Sequence, residues 1–300
     1  GYTGGDITIN ATRAAGGALG GGGTAGITAT GATIMGASVS LQAQSDYDDS
    51  GVVVSLPLTL PDSTAAISLT DTQVSASGTL AIGAKASVDT SPLGDTPLAI
   101  SVVNSSATVN VAGTSVLSST GNATLNAESA VTSNVKPTGL GLALPADAAV
   151  AISTINSTAT VKVGGSSSVT TDAALELSAK NTVEATTVAD ITASQPAAVG
   201  GTVAVTVLTT VTKASIEDSA TTQAASLKVS ADSRNTVVNT AKSASKGATK
   251  QAAGASKSEK ALDDYKTEGK TSAGSVEVAA AVAVVSLNSQ TSAVVSSTGT

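Results

Sequence analysis

Short runs in which apolar and polar residues alternate occur along most of the chain, and the alternation has a period of two. In the run that begins at Leu98, the residues Leu98, Ile100 and Val102 alternate with Ala99 and Ser101. Successive side chains of a β-strand point to opposite faces, so the pattern predicts strands with the larger apolar residues inside and the smaller or polar ones outside. Stretches rich in glycine and proline separate the runs and predict corners between strands.

One of these runs recurs at a nearly fixed interval. Ile100 and Ile152 occupy matching positions 52 residues apart, and Val205 follows after 53 more. A second motif keeps step with the first, with equivalent aliphatic positions at Leu125, Leu177 and Val229. A period of this size is typical of a solenoid, in which each unit buries its apolar face by stacking on its neighbours. The sequence therefore predicts an all-β protein that folds as a parallel β-helix.

Parallel stacking would place equivalent residues of successive units above each other. The predicted aliphatic ladders are Ile100, Ile152, Val205 and Val284, and Leu125, Leu177 and Val229. Asn104, Asn156 and Asn288 also share a position, which predicts amides stacked at a corner; recognition of glycans is the alternative role. A unit of this length would hold two large turns of the coil or three of about 17 residues, giving a rod on the order of 50 to 80 Å long.

The spacing and composition divide the chain into four segments. Residues 1–50 are glycine-rich with shorter spacings, which predicts smaller turns, and residues 51–241 carry the repeats. Residues 242–272 are rich in lysine and alanine and predict an inserted, partly helical arm, with Lys257 to Lys266 as its helical part. Residues 273–300 begin another repeat, so we expect a fragment of a longer repetitive protein.

The composition agrees with a thin, repeated interior. Phe, Trp, His and Cys are all absent, and small or β-branched residues replace them. A net charge of −7 argues against a nucleic-acid partner, which would require clustered Lys and Arg. The longest apolar stretch, Val278 to Val285, is much shorter than the roughly 20 residues of a membrane-spanning helix.

Few residues are available for catalysis. Without histidine or cysteine, the usual nucleophilic triads are excluded, and we expect neither an enzyme nor a cofactor. The many serines are expected on strand surfaces. Asp46, Asp48 and Asp49 are candidate calcium ligands, but they lack the spacing of known calcium loops, so a solvated acidic loop is the favoured interpretation.

Several runs resemble those of known repetitive proteins. The N-terminal GGDITINA, GGGTAGITATGA and GASVSLQA runs are similar to the filamentous-haemagglutinin type of right-handed parallel β-helix. From about Ala148, the AVAIS, TATVKVG and SVEVAAAVAVVSLN runs resemble the repeats of leukotoxin-family filamentous adhesins of bacteria. The resemblance implies a right-handed coil in a secreted or surface-attached rod, and it carries no catalytic residue with it.

The expected function is therefore structural. We expect an extracellular rod or filament segment of a bacterial surface protein, used for adhesion or for building a matrix. Its expected partners are other copies, in fibres, or surface glycans. A glycan- or surface-binding β-helix is the alternative function, and a carbohydrate-active enzyme is a more distant one.

Overall fold

A computed structural model of the protein describes residues 5–16, 21–49, 58–91, 93–94, 96–137, 146–191, 199–243, 268–270 and 278–296. All regular structure in these ranges is β-strand, and every strand pair is parallel. The strands form three sheets, and the chain visits them in the same order on each turn of the coil. The predicted parallel β-helix is thereby confirmed.

Sheet 1 is the sheet to which the chain returns at the end of each turn. Its strands are β1 (Ile7–Ala15), β4 (Val39–Asp48), β8 (Leu80–Thr90), β9 (Leu93–Gly94), β12 (Ala123–Pro137), β15 (Ala174–Asp190), β18 (Ser226–Lys242) and β19 (Glu268–Lys270). Sheet 2 contains β2 (Gly23–Thr30), β5 (Leu58–Thr59), β6 (Asp62–Thr70), β10 (Leu98–Ala112), β13 (Ala146–Val163), β16 (Val199–Ile216) and β20 (Val278–Val295). Sheet 3 contains the short strands β3 (Thr33–Gly36), β7 (Gln73–Ala76), β11 (Val116–Ser119), β14 (Ser168–Thr171) and β17 (Thr221–Gln223).

Each repeat unit makes one complete turn of the coil. Ile100 pairs directly with Ile152 in sheet 2, and Leu125 pairs directly with Leu177 in sheet 1. The expectation of two or three turns per unit was therefore wrong. Seven strands follow one another along sheet 1, so at about 4.8 Å per strand the described coil is roughly 30 Å tall rather than 50 to 80 Å.

The coil widens from its N-terminal to its C-terminal turns. In sheet 2 the strands lengthen from 8 residues in β2 to 15 in β10 and 18 in β13. In sheet 1 they lengthen from 10 residues in β4 to 17 in β15. The smaller N-terminal turns expected from the spacing are therefore confirmed, and the described section is wider than it is tall, since an 18-residue strand spans about 60 Å.

One corner carries a residue with positive φ on every described turn. This corner follows the sheet 2 strand, and the five residues are Gly31, Asp71, Gly113, Gly165 and Asp218, with φ between 49° and 68°. Left-handed backbone favours glycine and tolerates aspartate, which bonds to nearby backbone. The Asp71 carboxylate accepts hydrogen bonds from the Thr114 backbone N–H at 2.8 Å and from its hydroxyl at 3.0 Å, so this corner is tied to the next turn.

The interior consists of three apolar layers, and the wider turns contain more of them. The first layer lies beside sheet 3 and contains Leu41, Val109 and Leu125, among others. The second contains Tyr47 and Ile155, and the third is mostly alanine. Widening the turn therefore adds apolar layers between sheets 1 and 2, which face each other.

Rows of buried hydroxyl and amide groups separate these layers. Ser105 and Ser129 place their hydroxyl oxygens 2.7 Å apart, and Ser129 and Ser157 place theirs 2.8 Å apart. Ser157 donates in turn to Asn181 Oδ1 at 2.8 Å, so the row crosses between sheets 1 and 2 as it follows the coil. We call Ser105, Ser129, Ser157 and Asn181 the polar seam. The expectation that the serines lie on strand surfaces was wrong for these positions, because hydrogen bonds across the interior satisfy them.

The orientation of one predicted ladder is the reverse of the expectation. Ile100 and its neighbours Leu98 and Val102 point outward and are only partly buried, whereas Ala99 and Val103 are buried. Sheets 1 and 2 enclose mainly alanine here, in the third layer. The larger aliphatic residues are therefore on the outer surface of sheet 2.

The second predicted ladder lies inside. Leu125 and Leu177 are fully buried, and Val229 is partly buried against the same layer. These three residues are paired in register.

The lysine-rich segment falls mostly outside the described residues, and so does its predicted helix from Lys257 to Lys266. Lys242 is the last residue of β18, and Glu268–Lys270 forms β19, which pairs with Thr240–Lys242. The chain therefore returns to sheet 1 before it continues to β20.

Candidate functional site

The outer surface of sheet 2 carries a continuous group of aliphatic side chains at the N-terminal ends of its longer strands. The group contains three neighbouring rows, each made of residues at the same register position on successive strands. In-register pairing places similar residues in each row from turn to turn. We call this group the aliphatic face; its residues are Leu58, Leu98, Ile100, Val102, Val150, Ile152, Val203, Val205, Val207, Val282 and Val284. Thr154 and Ser286 complete the third row.

The aliphatic face is well exposed for residues of this type. Leu58, Val282 and Val284 are 40%, 49% and 45% exposed, and the other members are partly buried. Single exposed aliphatic residues are ordinary on protein surfaces, but a contiguous group spanning five strands is typical of an interaction surface. The predicted row Ile100, Ile152, Val205 and Val284 is in register and forms the middle of this face.

A polar row borders the aliphatic face. Asn156 Nδ2 donates to Asn104 Oδ1 at 3.1 Å, and the register continues through Thr209 to Asn288. The row lies within the strands rather than at a corner, so the expected corner position was wrong. The side-chain amides of Asn104 and Asn156 therefore form a hydrogen bond between adjacent turns on the outer surface.

The outer surface of sheet 1 is charged. Lys85, Glu128, Lys180 and Asp232 follow one another in register, so opposite charges alternate along the coil axis. A second pair joins Lys228 Nζ to Glu176 Oε1 at 2.7 Å. The two broad surfaces of the coil thus differ in chemistry, one being charged and the other partly aliphatic.

The Glu217 carboxylate forms ion pairs with two lysines. It contacts Lys162 Nζ, on the preceding turn, at 3.0 Å, and it also contacts Lys213 on its own turn; the Glu217 side chain is 19% exposed. The hydrogen bond from Lys213 has the largest effect on the pKa of Glu217, and the one from Lys162 has the second largest. Together they lower this pKa to about 2. The sequence offered no signal for this group, because the three residues do not share a register position.

The three candidate calcium ligands do not converge. Asp46 and Asp48 belong to β4 and point outward, whereas Asp49 is 3% exposed and turned inward. The favoured interpretation as a solvated loop was wrong, since these residues are at the end of a strand. Within the described part of the chain, no three acidic groups are arranged to hold a metal ion.

Asp49 has a structural role at this strand end. Its carboxylate accepts hydrogen bonds from the Thr90 hydroxyl at 3.0 Å and the Ser91 backbone N–H at 2.9 Å. The Tyr47 hydroxyl donates to it at 3.3 Å, and burial together with the negative charge of Asp49 raises the pKa of Tyr47 to about 12. Tyr47 is fully buried inside β4, although no sequence pattern predicted a tyrosine in a repeat strand.

Asp48 and Asp89 are directly paired on adjacent turns, so two carboxylates follow each other along the coil. Partial burial raises the pKa of Asp89, and the neighbouring Asp48 and Asp49 charges raise it further. The like charges of Asp48 and Asp49 therefore disfavour ionisation of Asp89.

A shallow groove runs along sheet 3 and its corner with sheet 1. Its volume is about 730 Å³, and the residues that line it are mostly small or hydroxylated. Ser75, Ser118 and Thr170 repeat from turn to turn in its floor, and Asp172 lies at one end. Such a surface can hydrogen-bond a polar chain, but it brings together no acid and base for catalysis.

Comparison with protein-family models, with curated proteins and with solved structures found no match to this chain. Within the described residues, no helix is long and apolar enough to cross a membrane.

Proposed function

We propose that this chain is a structural segment of a bacterial surface protein, located outside the cell and used for adhesion or for building a matrix or fibre. The observation that supports this most directly is the unbroken register of sheets 1 and 2 through the successive turns. A parallel stack of this kind is held together by hydrogen bonds along its axis, which suits a protein segment that resists pulling force.

The last described strand of sheet 2 supports the same proposal. β20 contains 18 residues without a charge or a proline, and among the described strands it pairs only with β16. Natural proteins usually protect a free strand edge with charges, prolines or bulges, because an unprotected edge readily accepts another strand. We propose that a further solenoid turn, from the same polypeptide or another copy, stacks on this edge.

The chemistry of the described residues argues for structure rather than catalysis. The polar seam and Asp49 are engaged in internal hydrogen bonds, and Glu217 is engaged by two lysines. A catalytic site requires a nucleophile or base that is placed beside a substrate cavity. The groove along sheet 3 has Asp172 as the one ionisable residue in its lining, so it holds no acid–base pair.

Single-molecule force spectroscopy tests the structural role. Pulling from one end should release turns one at a time, because each turn is bonded only to its neighbours. A turn of 52 or 53 residues should add about 180 Å of contour length, and the narrower turns of 41 or 43 residues nearer the N-terminus should add about 140 to 150 Å. A single all-at-once rupture, or polysaccharide turnover by the purified chain, would overturn the proposal.

The groove along sheet 3 supports a second candidate function, a glycan-binding module. Rows of hydroxyl groups that repeat at the strand spacing of about 4.8 Å offer regularly placed hydrogen-bond partners. Saturable binding on a glycan array, lost when Ser118 is replaced by leucine and kept when the sheet 1 residue Ser178 is replaced by leucine, would favour this candidate.

A further inference from the structure

From the chemistry of the aliphatic face we infer that a second copy of this chain docks on it, so that two coils associate weakly and reversibly side by side through sheet 2. This inference deepens the proposed structural role and rests on it. It assigns a lateral contact, whereas the strand edge of β20 concerns stacking along the axis.

Charge favours this surface as the place where two copies meet. The chain carries a net charge of −7, so two copies repel each other over most approaches. The aliphatic face contains no charged residue among its described members, whereas the outer surface of sheet 1 has alternating lysines and acids. Contact through sheet 2 therefore buries apolar surface without burying charges.

The shape of the face also favours a second copy. Valine and isoleucine on a sheet present a flat, ridged surface, and two such surfaces pack at about 10 Å in β-sandwiches. A two-fold axis near Ile152 and Val205 would place the aliphatic rows of one copy on those of the other. The asparagine row would then form part of the polar rim, as in other protein interfaces.

The size of the face sets the strength of the contact. The four long strands β10, β13, β16 and β20, at a spacing of about 4.8 Å, and three outward rows at about 6.7 Å give roughly 400 Å² per copy, or about 800 Å² in total. Stable complexes bury about 1,200 to 2,000 Å², so a single pair of faces supports only weak association. Repetition along a longer solenoid would strengthen it through multivalency.

A lipid surface fits the face less well. Peripheral membrane surfaces combine apolar residues with aromatic and basic anchors, and aromatic residues are only 1% of this chain. The described members of the aliphatic face include neither lysine nor arginine.

Sedimentation velocity over a range of protein concentrations tests the inference. The wild-type chain should shift from monomer to dimer as its concentration rises. Val205→Glu should weaken the association at least tenfold, because it places two like charges near the two-fold axis. Thr160→Glu is the matched control: Thr160 also points outward from sheet 2, beyond the asparagine row, and its substitution should leave the association unchanged.

A milder variant guards against misfolding. Val205→Thr keeps the β-branched shape, so a folded variant with reduced association would support the docking surface even if Val205→Glu unfolds. A wild type that stays monomeric, or association that is unchanged in both variants, would overturn the inference. Binding of the monomer to phosphatidylcholine vesicles would overturn it too, in favour of a lipid partner. Turns should still be released one at a time under force even if the chain does not dimerise through sheet 2. A failure of the lateral contact is therefore distinguishable from a failure of the structural role.

Discussion

Ser129 and Ser157 place their hydroxyl oxygens 2.8 Å apart inside the coil, although they belong to opposite sheets and lie 28 residues apart in the sequence. Each is fully buried, and each has a second hydroxyl or amide partner in the polar seam. The seam therefore connects sheets 1 and 2 through hydrogen bonds where the apolar layers are interrupted. A buried network of this kind favours one alignment of the sheets, because any other leaves polar groups without partners.

Removing one hydroxyl from the seam should destabilise the protein. Ser157→Ala leaves the buried Asn181 Oδ1 without its hydroxyl donor, which costs about 1 to 3 kcal/mol in free energy of unfolding. Thr158→Ala, one residue away but on the outer surface, should change it by less than about 0.5 kcal/mol. Chemical denaturation of both variants checks this, and equal losses would contradict a stabilising role for the seam.

The positive-φ corner should be sensitive to substitution. Gly113→Ala forces an L-residue into left-handed backbone and places its Cβ about 2.3 Å from Asp71 Oδ1, so we expect a loss of at least about 1 to 2 kcal/mol. Gly26→Ala is the control, since Gly26 lies within β2 and its added Cβ meets only ordinary contacts, from 3.8 Å. That variant should be neutral or slightly stabilising. A Gly113→Ala protein as stable as wild type would show that the corner is not constrained.

The paired carboxylates predict that removing one of them raises stability at neutral pH. The folded-state pKa of Asp89 is raised above its ordinary 3.8, so the fold is favoured while this group is protonated and loses stability as pH rises through the raised pKa. Asp89→Asn removes that loss. Thermal melting should show a higher midpoint for the variant at pH 7 and no difference at pH values below 3.8. A lower midpoint at pH 7 would contradict repulsion between Asp48 and Asp89.

The lowered pKa of Glu217 predicts that stability depends on pH in the opposite direction. The folded-state pKa of about 2 lies below the ordinary 4.5, so the contribution of Glu217 is fully present above pH 4.5 and is lost as pH falls through 2. Glu217→Gln should lower the free energy of unfolding at pH 7 by about 1 kcal/mol or less, because solvent screens the pairs with Lys162 and Lys213. The two proteins should become equally stable only well below pH 2, where Glu217 is protonated in the folded protein as well. A difference that persists there would mean that the effect is not electrostatic.

The sequence predicted the architecture because the repeat determines which residues stack. The equivalence of Ile100 with Ile152 followed from spacing alone, and the structure pairs them directly. The number of turns per unit did not follow, because a period shows how often the chain returns to a position and not how many strands it forms on the way. One turn contains three strands here, which makes it much larger than the assumed rung.

Which side of sheet 2 faces inward could not be predicted from alternation. Alternation defines two sets of side chains, and here both sets include apolar residues: Ile100 and Val102 in one, and Ala99 and Val103 in the other. The opposite sheet decides between them, because the third apolar layer is filled mainly with alanine from both sheets. For this reason the aliphatic face, on which we infer that a second copy docks, was predicted to lie in the core.

The predicted solvated loop at the acidic run was wrong for a related reason. Asp46 and Asp48 look like a cluster with Asp49 in the sequence, but strand alternation sends Asp49 to the opposite face. Its partners Thr90 and Ser91 come from the following turn, and no local pattern reveals them.

Disulfide trapping tests the central claim, which is that each repeat unit is one parallel turn in register. The chain has no cysteine, and the outward-facing Thr108 and Thr160 are paired on adjacent turns, so their Cα atoms should lie about 4.8 Å apart, within disulfide range. The Thr108→Cys and Thr160→Cys double variant should form an intramolecular disulfide on mild oxidation, whereas pairing Thr108→Cys with Lys162→Cys, one outward position further along the same strand, should not. No cross-link in the first variant, or equal cross-linking in both, would contradict the account.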